Sequence, residues 1–359
     1  GVNLIGIEMP RYRGSSKAAY VHSYLRFFTR AALLAWRLSR PNRYDAAIVC
    51  SMPDAMVVCA APLKLLGTRL ILDVHDTMPE LYLDKFSGTK GALGARILKL
   101  EERASASMAD RVLAVHELHR QRLQAAGIPG KKIRVVLNSP DPRIFSGASQ
   151  NHHVNGSFTL VCHGTITRRL GLDVALKALN LLRGKVPPLK LIVLGHGDYL
   201  AEAQGLASAM ELNDRVRFHA PVPIEELPAL LEGADVGLVP NRPSAATHLM
   251  LPVKMMEYAA LGIPVIAAQL RTIEHYFGDE GALLFEAGNP EALAAAIESL
   301  YTNRERAKKF AHRAAEIADT LKWQHQRECF FGAIDEVITP RRDPTRGANL
   351  SPPNIGALQ

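Results

Sequence analysis

The 359-residue sequence predicts an α/β protein built from two doubly wound domains that face each other across a central cleft. Three observations carry this. Short apolar runs alternate with longer helical patterns along the chain, as they do when helices wrap a parallel sheet. The alternation stops in a stretch rich in Asp, Pro, Asn and Ser near residues 138–157 and then restarts, which marks a domain boundary. A hydrophobic content of 48% with 22% charged residues is globular, and the length suffices for two cores.

The first domain, residues 1–140, reads as strands over 3–7, 46–50, 69–74, 111–115 and 134–137. Helical patterns lie between them over 55–66, 93–108 and 117–126. The last of these stops at Gly127, a residue suited to a helix C-terminus, with Pro129 just beyond. A linker follows over 141–157. The second domain, residues 158–322, restarts with strand 159–163, helix 172–182, strand 189–194, helix 200–210 and strand 216–219. Helix 225–231, strand 236–239, helix 253–261, strand 264–267 and strand 283–285 complete the sheet, and helices 290–302 and 304–321 cover it. A helix over 323–338 comes after the second sheet is finished and is expected to cross back onto the first domain. Residues 339–359 are polar and Pro-rich and are expected to be disordered.

Composition narrows the function classes. No apolar run of about 18 residues is free of charge or proline, so a spanning helix is not expected. Four cysteines lie far apart with no CxxC pair, which argues against a zinc site or disulfide framework and suits a cytoplasmic, reducing location. Residues 1–140 hold 21 Lys and Arg against 11 Asp and Glu, and the remainder 22 against 24. The excess begins with Arg11, Arg13, Lys17, Arg26, Arg30, Arg37, Arg40 and Arg43, interleaved with Tyr24, Leu25, Phe28, Leu33 and Trp36. Two compatible readings fit a basic helix with such apolar groups. It packs one face on the sheet and keeps its arginines solvated, or it meets an anionic membrane surface from the cytoplasmic side. No motif accompanies the charge that would point to nucleic acid.

Three constellations can do chemistry. In the first, a strand leads through the polar loop NRPSAATHLM to Leu251-Pro252, which opens a helix carrying Lys254 and Glu257. Free N–H groups in a first helical turn attract phosphate oxygens, Lys254 adds an ammonium, and Glu257 can accept hydrogen bonds from ribose hydroxyls. By pattern alone, a solvated Lys–Glu pair is the favoured reading, because such pairs are common on exposed helices. In the second, a strand ends at His163-Gly164 and a loop with Arg168 and Arg169 turns at Gly171 into a helix. Ligands collect at the carboxyl ends of strands in such sheets, so these guanidinium groups are candidates to pair with a leaving pyrophosphate. The third, LDVHDTMPELY, puts His75, Asp76 and Glu80 after a strand, a suitable place for a titrating group. Weaker signals are the Gly195–Gly197 pair in LGHGDY and Val222 in HAPVP. HELHR (116–120) and NSPD (138–141) read as structural. There is no Walker A loop, HExxH helix or nucleophile elbow, which removes the corresponding ATPases, zincins and hydrolases.

LPVKMMEYAALGIPVIAA, with ADVGLVP upstream and FEAGNPEALAAAI downstream, resembles the nucleotide-sugar signature of family-4 glycosyltransferases of the GT-B fold. The resemblance extends over nearly all of residues 1–337 and implies two Rossmann-like domains, a nucleoside-diphosphate-sugar donor on the second and a hydroxyl acceptor on the first. It further implies retention at the anomeric carbon, no metal and no other cofactor. By this resemblance Glu257 binds the nucleotide ribose, Leu251 and Lys254 belong to the phosphate site, and Gly164, Gly195 and Val222 border the donor. His75 would face the reacting sugar, with Asp76 and Glu80 orienting the acceptor or His75. Two departures stand out. The usual motif has a second acid at the position of Leu249, and Thr165 and Leu170 replace basic residues, so Arg168 or Arg169 must supply that charge. The family also begins with a strand and Gly-rich loop that would precede residue 1, so the sequence is expected to be truncated at its start.

The expected reaction is therefore transfer of a hexose-type sugar to a lipid-linked or envelope-polysaccharide acceptor, of the kind used in bacterial polysaccharide biosynthesis. A nucleotide-sugar epimerase and a non-catalytic nucleotide-sugar-binding protein are the alternatives on the same fold.

Overall fold

The computed structural model describes residues 3–9, 17–40, 43–86, 88–146, 157–186 and 189–338. The first domain runs α1 (Lys17–Ser39), β1 (Ala46–Cys50), α2 (Val57–Lys64), β2 (Arg69–Val74), α3 (Met78–Lys85), α4 (Gly88–Met108), β3 (Arg111–Ala114), α5 (Glu117–Ala125) and β4 (Ile133–Val135). Its four strands are parallel in the order β1-β2-β3-β4. Alternate residues of β2 face opposite ways. Leu70, Leu72 and Val74 join a core with α2 and α4, while Ile71 and Leu113 meet Ala333 on the other face.

The second domain runs β5 (Phe158–His163), α6 (Leu172–Leu181), β6 (Leu189–Leu194), α7 (Leu200–Ala209), β7 (Val216–His219), α8 (Leu227–Leu231), β8 (Val236–Val239), α9 (Val253–Ala260), β9 (Val265–Ala268), α10 (Arg271–Gly281), β10 (Leu283–Phe285), α11 (Pro290–Thr302) and α12 (Arg304–Thr320). Its six parallel strands lie in the order β10-β9-β8-β5-β6-β7. Every residue of β8 and β9 is buried, as expected of strands covered on both faces. The chain proceeds outward from β5 in one direction and from β8 in the other. The carboxyl ends of these neighbours therefore form the switch point where a crevice opens.

The last helix, α13 (Trp323–Ile338), lies on the first sheet. Glu336 pairs with Arg111 and Arg134, each at 2.8 Å, and buried Leu137 N–H donates to Gln326 Oε1 at 2.9 Å. Among the described residues no helix is long and apolar enough to cross a membrane. All four cysteines are free thiols.

Some expected boundaries shift. Residues 3–7 form no strand: the described stretch 3–9 is irregular and mostly exposed, with no neighbouring strand to satisfy its backbone. The helix expected over 55–66 begins as a 3-10 turn, Asp54–Met56, and ends at Lys64. Two helices were not anticipated, α3 and α10, the latter breaking helical geometry at Gly278. Ile144 and Phe145, assigned to the linker, pack into the second core. Arg11, Arg13, linker residues 147–156 and tail residues 339–359 lie outside the described residues.

Candidate functional site at the switch point and the domain cleft

At the carboxyl ends of β5, β6 and β7 a cleft of about 400 Å³ is lined by His163, Gly164, Gly195, Val222, Lys254 and Glu257, among others. The glycines are there for steric reasons. Gly195 has φ +144°, and a Cβ on it would sit 1.9 Å from the Gly164 carbonyl oxygen. Gly171, with φ +72°, brings the start of α6 against the loop after β8, where a Cβ would sit 1.8 Å from Pro240 O. Both positions exclude side chains that carry a Cβ.

Glu257 is held from below. His163 Nε2 donates to Glu257 Oε2 at 2.6 Å, and His163 Nδ1 lies 2.9 Å from the Tyr258 hydroxyl. A carboxylate accepts only, so the ring proton resides on Nε2 and Nδ1 accepts from Tyr258. Tyr258 is fully buried, and burial raises its pKa well above the ordinary phenol value, so it stays a proton donor. Its ring is seated against Gly237 of β8, where a Cβ would approach to 2.4 Å. The carboxylate is thus aimed through a histidine and a tyrosine packed between β5 and β8. His163 was not singled out from the sequence; its place as the last residue of a strand leading into the Gly164 loop was the available signal.

Lys254 stands in the first turn of α9, whose N-cap is Pro252. A Cβ on Gly164 would lie 3.9 Å from its Nζ, which sets the ammonium beside the backbone of the β5 loop. No described side chain forms an ion pair or hydrogen bond with that ammonium. A half-buried cation, the free amides of a helix start and a fixed carboxylate form a site for a phosphorylated ligand bearing hydroxyls.

A second cavity, about 330 Å³, lies between the domains and is lined by His75, Asp76, His116, Leu249 and Leu251, among others. The segment from Leu249 to Glu257 therefore joins the two: its first residues line the interdomain cavity and its last two polar ones the switch-point cleft. Leu251 belongs to the interdomain cavity and not with Lys254 and Glu257. His75 Nε2 is 3.1 Å from Asp73 Oδ2, and this bond raises the imidazole pKa above its usual value. Its backbone N–H donates to Ser51 Oγ at 3.0 Å. Asp73, then, holds His75, whereas Asp76 and Glu80 were expected to orient either the acceptor or His75.

Glu80 stands elsewhere. Its carboxylate accepts from Arg122 at 2.8 and 3.0 Å, and Arg122 also pairs with Glu102, whose side chain is only 1% exposed. Burial removes water from these charges and makes their mutual pairing obligatory, so Glu80 is committed to a structural cluster. Arg168 is likewise drawn away: it is exposed and pairs with Glu202 at 3.0 Å. Arg169 reaches towards Met250, a residue of the interdomain cavity. Lys254 is the cation that the fold sets in the cleft, and neither arginine lines it. Among the described residues, Cys50, Asp73 and His75 form the one group of three metal-ligand types with donor atoms within 4.8 Å of one another.

HELHR, read from sequence as structural, bridges the domains. His116 Nδ1 accepts from His119 N–H at 3.0 Å and caps α5, while its Nε2 donates to Leu249 O at 2.9 Å. Glu117 N–H donates to Tyr276 Oη of α10 at 2.9 Å, and Ser244 Oγ donates to Asp84 at 2.7 Å. The first domain thus grips the loop that leads to Lys254 and Glu257.

Residues 148–317 match the model of the glycosyl transferases group 1, and residues 1–139 that of the glycosyl transferase 4-like domain. The chain is 27% identical over 191 residues to the amylovoran biosynthesis glycosyltransferase AmsK of Erwinia amylovora, covering 52% of this chain and 46% of that protein. It is 32% identical over 133 residues to the GDP-mannose-dependent alpha-(1-6)-phosphatidylinositol monomannoside mannosyltransferase of Mycolicibacterium smegmatis, covering 36% and 35%. The matches thus span less than half the length of these relatives. Among solved structures, Anabaena HepE in complex with UDP and glucose superposes with a TM-score of 0.69 at 17% identity, over 91% of this chain and 84% of that one. The sucrose-phosphate synthase of Thermosynechococcus elongatus does so with 0.69 at 17%, over 89% and 79%. Two parallel α/β domains, a cleft at the switch point of the second and a family match on each give this chain the GT-B fold, with a glycosyl transferase 4-like region over 1–139 and a glycosyl transferases group 1 region over 148–317.

Proposed function

We propose that this chain transfers a sugar from a nucleoside-diphosphate sugar to a hydroxyl acceptor, with retention. The observation that carries the proposal is Glu257 fixed by His163 beside Lys254 in one cleft. A ribose accounts for the carboxylate, a diphosphate for the ammonium and the amides of α9, and the base for the apolar wall at Val222. The sugar would then extend towards His75 and Asp76 in the interdomain cavity. Names of relatives lend support: one is a GDP-mannose-dependent enzyme and another serves amylovoran biosynthesis, and a structural neighbour was solved with UDP and glucose.

In this proposal the bond from the anomeric carbon to the leaving phosphate oxygen breaks, and the bond to the acceptor oxygen forms on the same face. The departing phosphate takes the acceptor's proton, which balances the charge that Lys254 stabilises. Trapping of a covalent glycosyl-enzyme would remove this route. Incubation with labelled UDP- and GDP-sugars tests the function: release of nucleotide that depends on acceptor supports it. An isomerised sugar or binding without turnover overturns it.

The proposed acceptor is lipid-linked or an envelope polysaccharide, met at an anionic membrane surface. On α1, Leu25 and Leu33 are 60% and 52% exposed and share the helix with Arg26, Arg30 and Arg37. Unchanged liposome binding after these three arginines become Gln would remove α1 from that surface.

A further inference from the structure

The outer face of α4 carries a feature that the candidate site leaves unused. Leu93, Ile97 and Leu100 are 61%, 57% and 69% exposed. At 100° per residue their spacing places them within one arc of about 60°, along a single stripe of the helix. Lys90, Arg96, Lys99 and Arg103 are exposed on the same helix. Its two acids turn inward: Glu101 is half-buried, with Ser105 donating to it, and buried Glu102 is paired with Arg122. The opposite face, with Ala95, Ser105 and Ala106, is buried. One helix thus packs with its small residues and acids and turns large aliphatics and cations to solvent.

We infer that α4 is a docking face for an anionic lipid bilayer. A polar solvated helix would not display three large aliphatic side chains in register, and a partner protein of ordinary composition would not call for cations alone around them. An anionic bilayer calls for both, hydrocarbon for the stripe and lipid phosphates for its rim. Its neighbours extend the surface. α3 packs against α4, with Tyr82 over Gly94, and exposes Phe86 at 45%. α2 touches both α4 and α1, so the basic helix α1 stands on the same side of the sheet. α3, packed on α4, also lends Leu81 to the lining of the interdomain cavity, and a lipid-linked acceptor would approach that cavity from a docked bilayer. The docking itself does not depend on the proposed transfer reaction; only its link to the acceptor rests on that reading.

Co-flotation with vesicles of phosphatidylcholine, with and without phosphatidylglycerol, tests the inference. The chain is expected to float with the anionic vesicles and not with the neutral ones. Leu93→Ser/Ile97→Ser/Leu100→Ser should abolish flotation. Arg96→Gln/Lys99→Gln/Arg103→Gln should weaken it about 100-fold, at roughly 1 kcal/mol for each charge. Circular dichroism and binding of nucleoside diphosphate at the distant cleft verify that the variants are folded. Flotation unchanged in either triple variant, or absent in the parent chain, overturns the inference. So does dimerisation of the parent chain that the Ser variant abolishes, which would make α4 a contact between copies. Transfer to a water-soluble acceptor is the separate readout for the proposed function, and it can fail while flotation holds.

Discussion

His163, the last residue of β5, and Glu257, on the first turns of α9, meet at 2.6 Å between Nε2 and Oε2. They come from the two helix–strand units that flank the switch point, so their contact fixes the position of α9 relative to the loop after β5. Glu257→Ala should raise the KM for donor by about 100-fold, the equivalent of roughly 3 kcal/mol for two hydrogen bonds to a charged acceptor. His163→Ala should raise it less but lower thermal stability as well, because Glu257 and the buried Tyr258 both lose a partner. Steady-state kinetics with calorimetry separates the two. Wild-type KM in Glu257→Ala would show that the donor does not rest on this carboxylate.

Exposed His75 and half-buried Asp73 form a pair beside the interdomain cavity, in a group that also includes Cys50. His75→Ala is expected to lower kcat far more than it raises the KM for donor, because the proposed ribose and diphosphate contacts lie in the other cleft. If transfer follows the proposed metal-free route, activity should withstand EDTA; loss on chelation and return on adding zinc would point to the Cys50–Asp73–His75 group.

The packing of Gly195 against the Gly164 carbonyl predicts a large effect from a small change. Gly195→Ala puts a Cβ where only 1.9 Å is available, next to backbone that cannot move aside alone. Donor affinity should fall at least 10-fold, while unfolding of the first domain, followed by a local probe, stays unchanged.

His119 is buried with no hydrogen bond to either ring nitrogen, and burial pushes its pKa down to about 3. In the unfolded chain it titrates near 6.5, so the unfolded state binds the extra proton first. Its contribution to stability is complete above that value and is lost as pH falls towards about 3. His116 follows the same sign, since burial lowers its pKa and protonating Nδ1 would break the cap on α5. His119→Phe should flatten the fall in Tm between pH 7 and 5, measured by differential scanning calorimetry.

Asp54 has the opposite sign. Burial, with Glu101 and Glu102 nearby, raises its pKa to about 7, and neither carboxylate oxygen has a partner. The folded state therefore retains a proton that the unfolded chain, titrating near 4, has released. Stability from this site is full below about pH 4 and is lost as pH rises through about 7. Asp54→Asn should stabilise the chain above pH 7 by at most about 4 kcal/mol and leave it nearly unchanged at pH 4. A variant equally stable or less stable at pH 8 would contradict this.

Much of the architecture was legible in the sequence. Strands such as 46–50, 69–74, 189–194 and 216–219 were bounded as the structure has them, because short runs rich in Val, Ile and Leu between polar turns mark strands even where, as at the edges β1 and β7, they stay partly exposed. Gly171 and Gly195 were visible as turn residues, and Lys254 and Glu257 as a pair on one helix. The sequence could not say which side chains share a cleft. Arg168 and Arg169 looked like phosphate ligands because they follow a strand, yet Arg168 is drawn to Glu202 on α7. Glu80 looked like an acceptor contact, yet it answers the charge of Arg122 from a helix 42 positions on. Sequence alone determined the periodicities and the helix start that can receive a phosphate, since these are set by residues close along the chain. Tertiary structure decided that His163 aims Glu257, that Asp73 holds His75 and that His116 ties the domains together. Each of these depends on a partner brought near by sheet register or domain docking, and a buried polar group takes whichever partner the packing supplies.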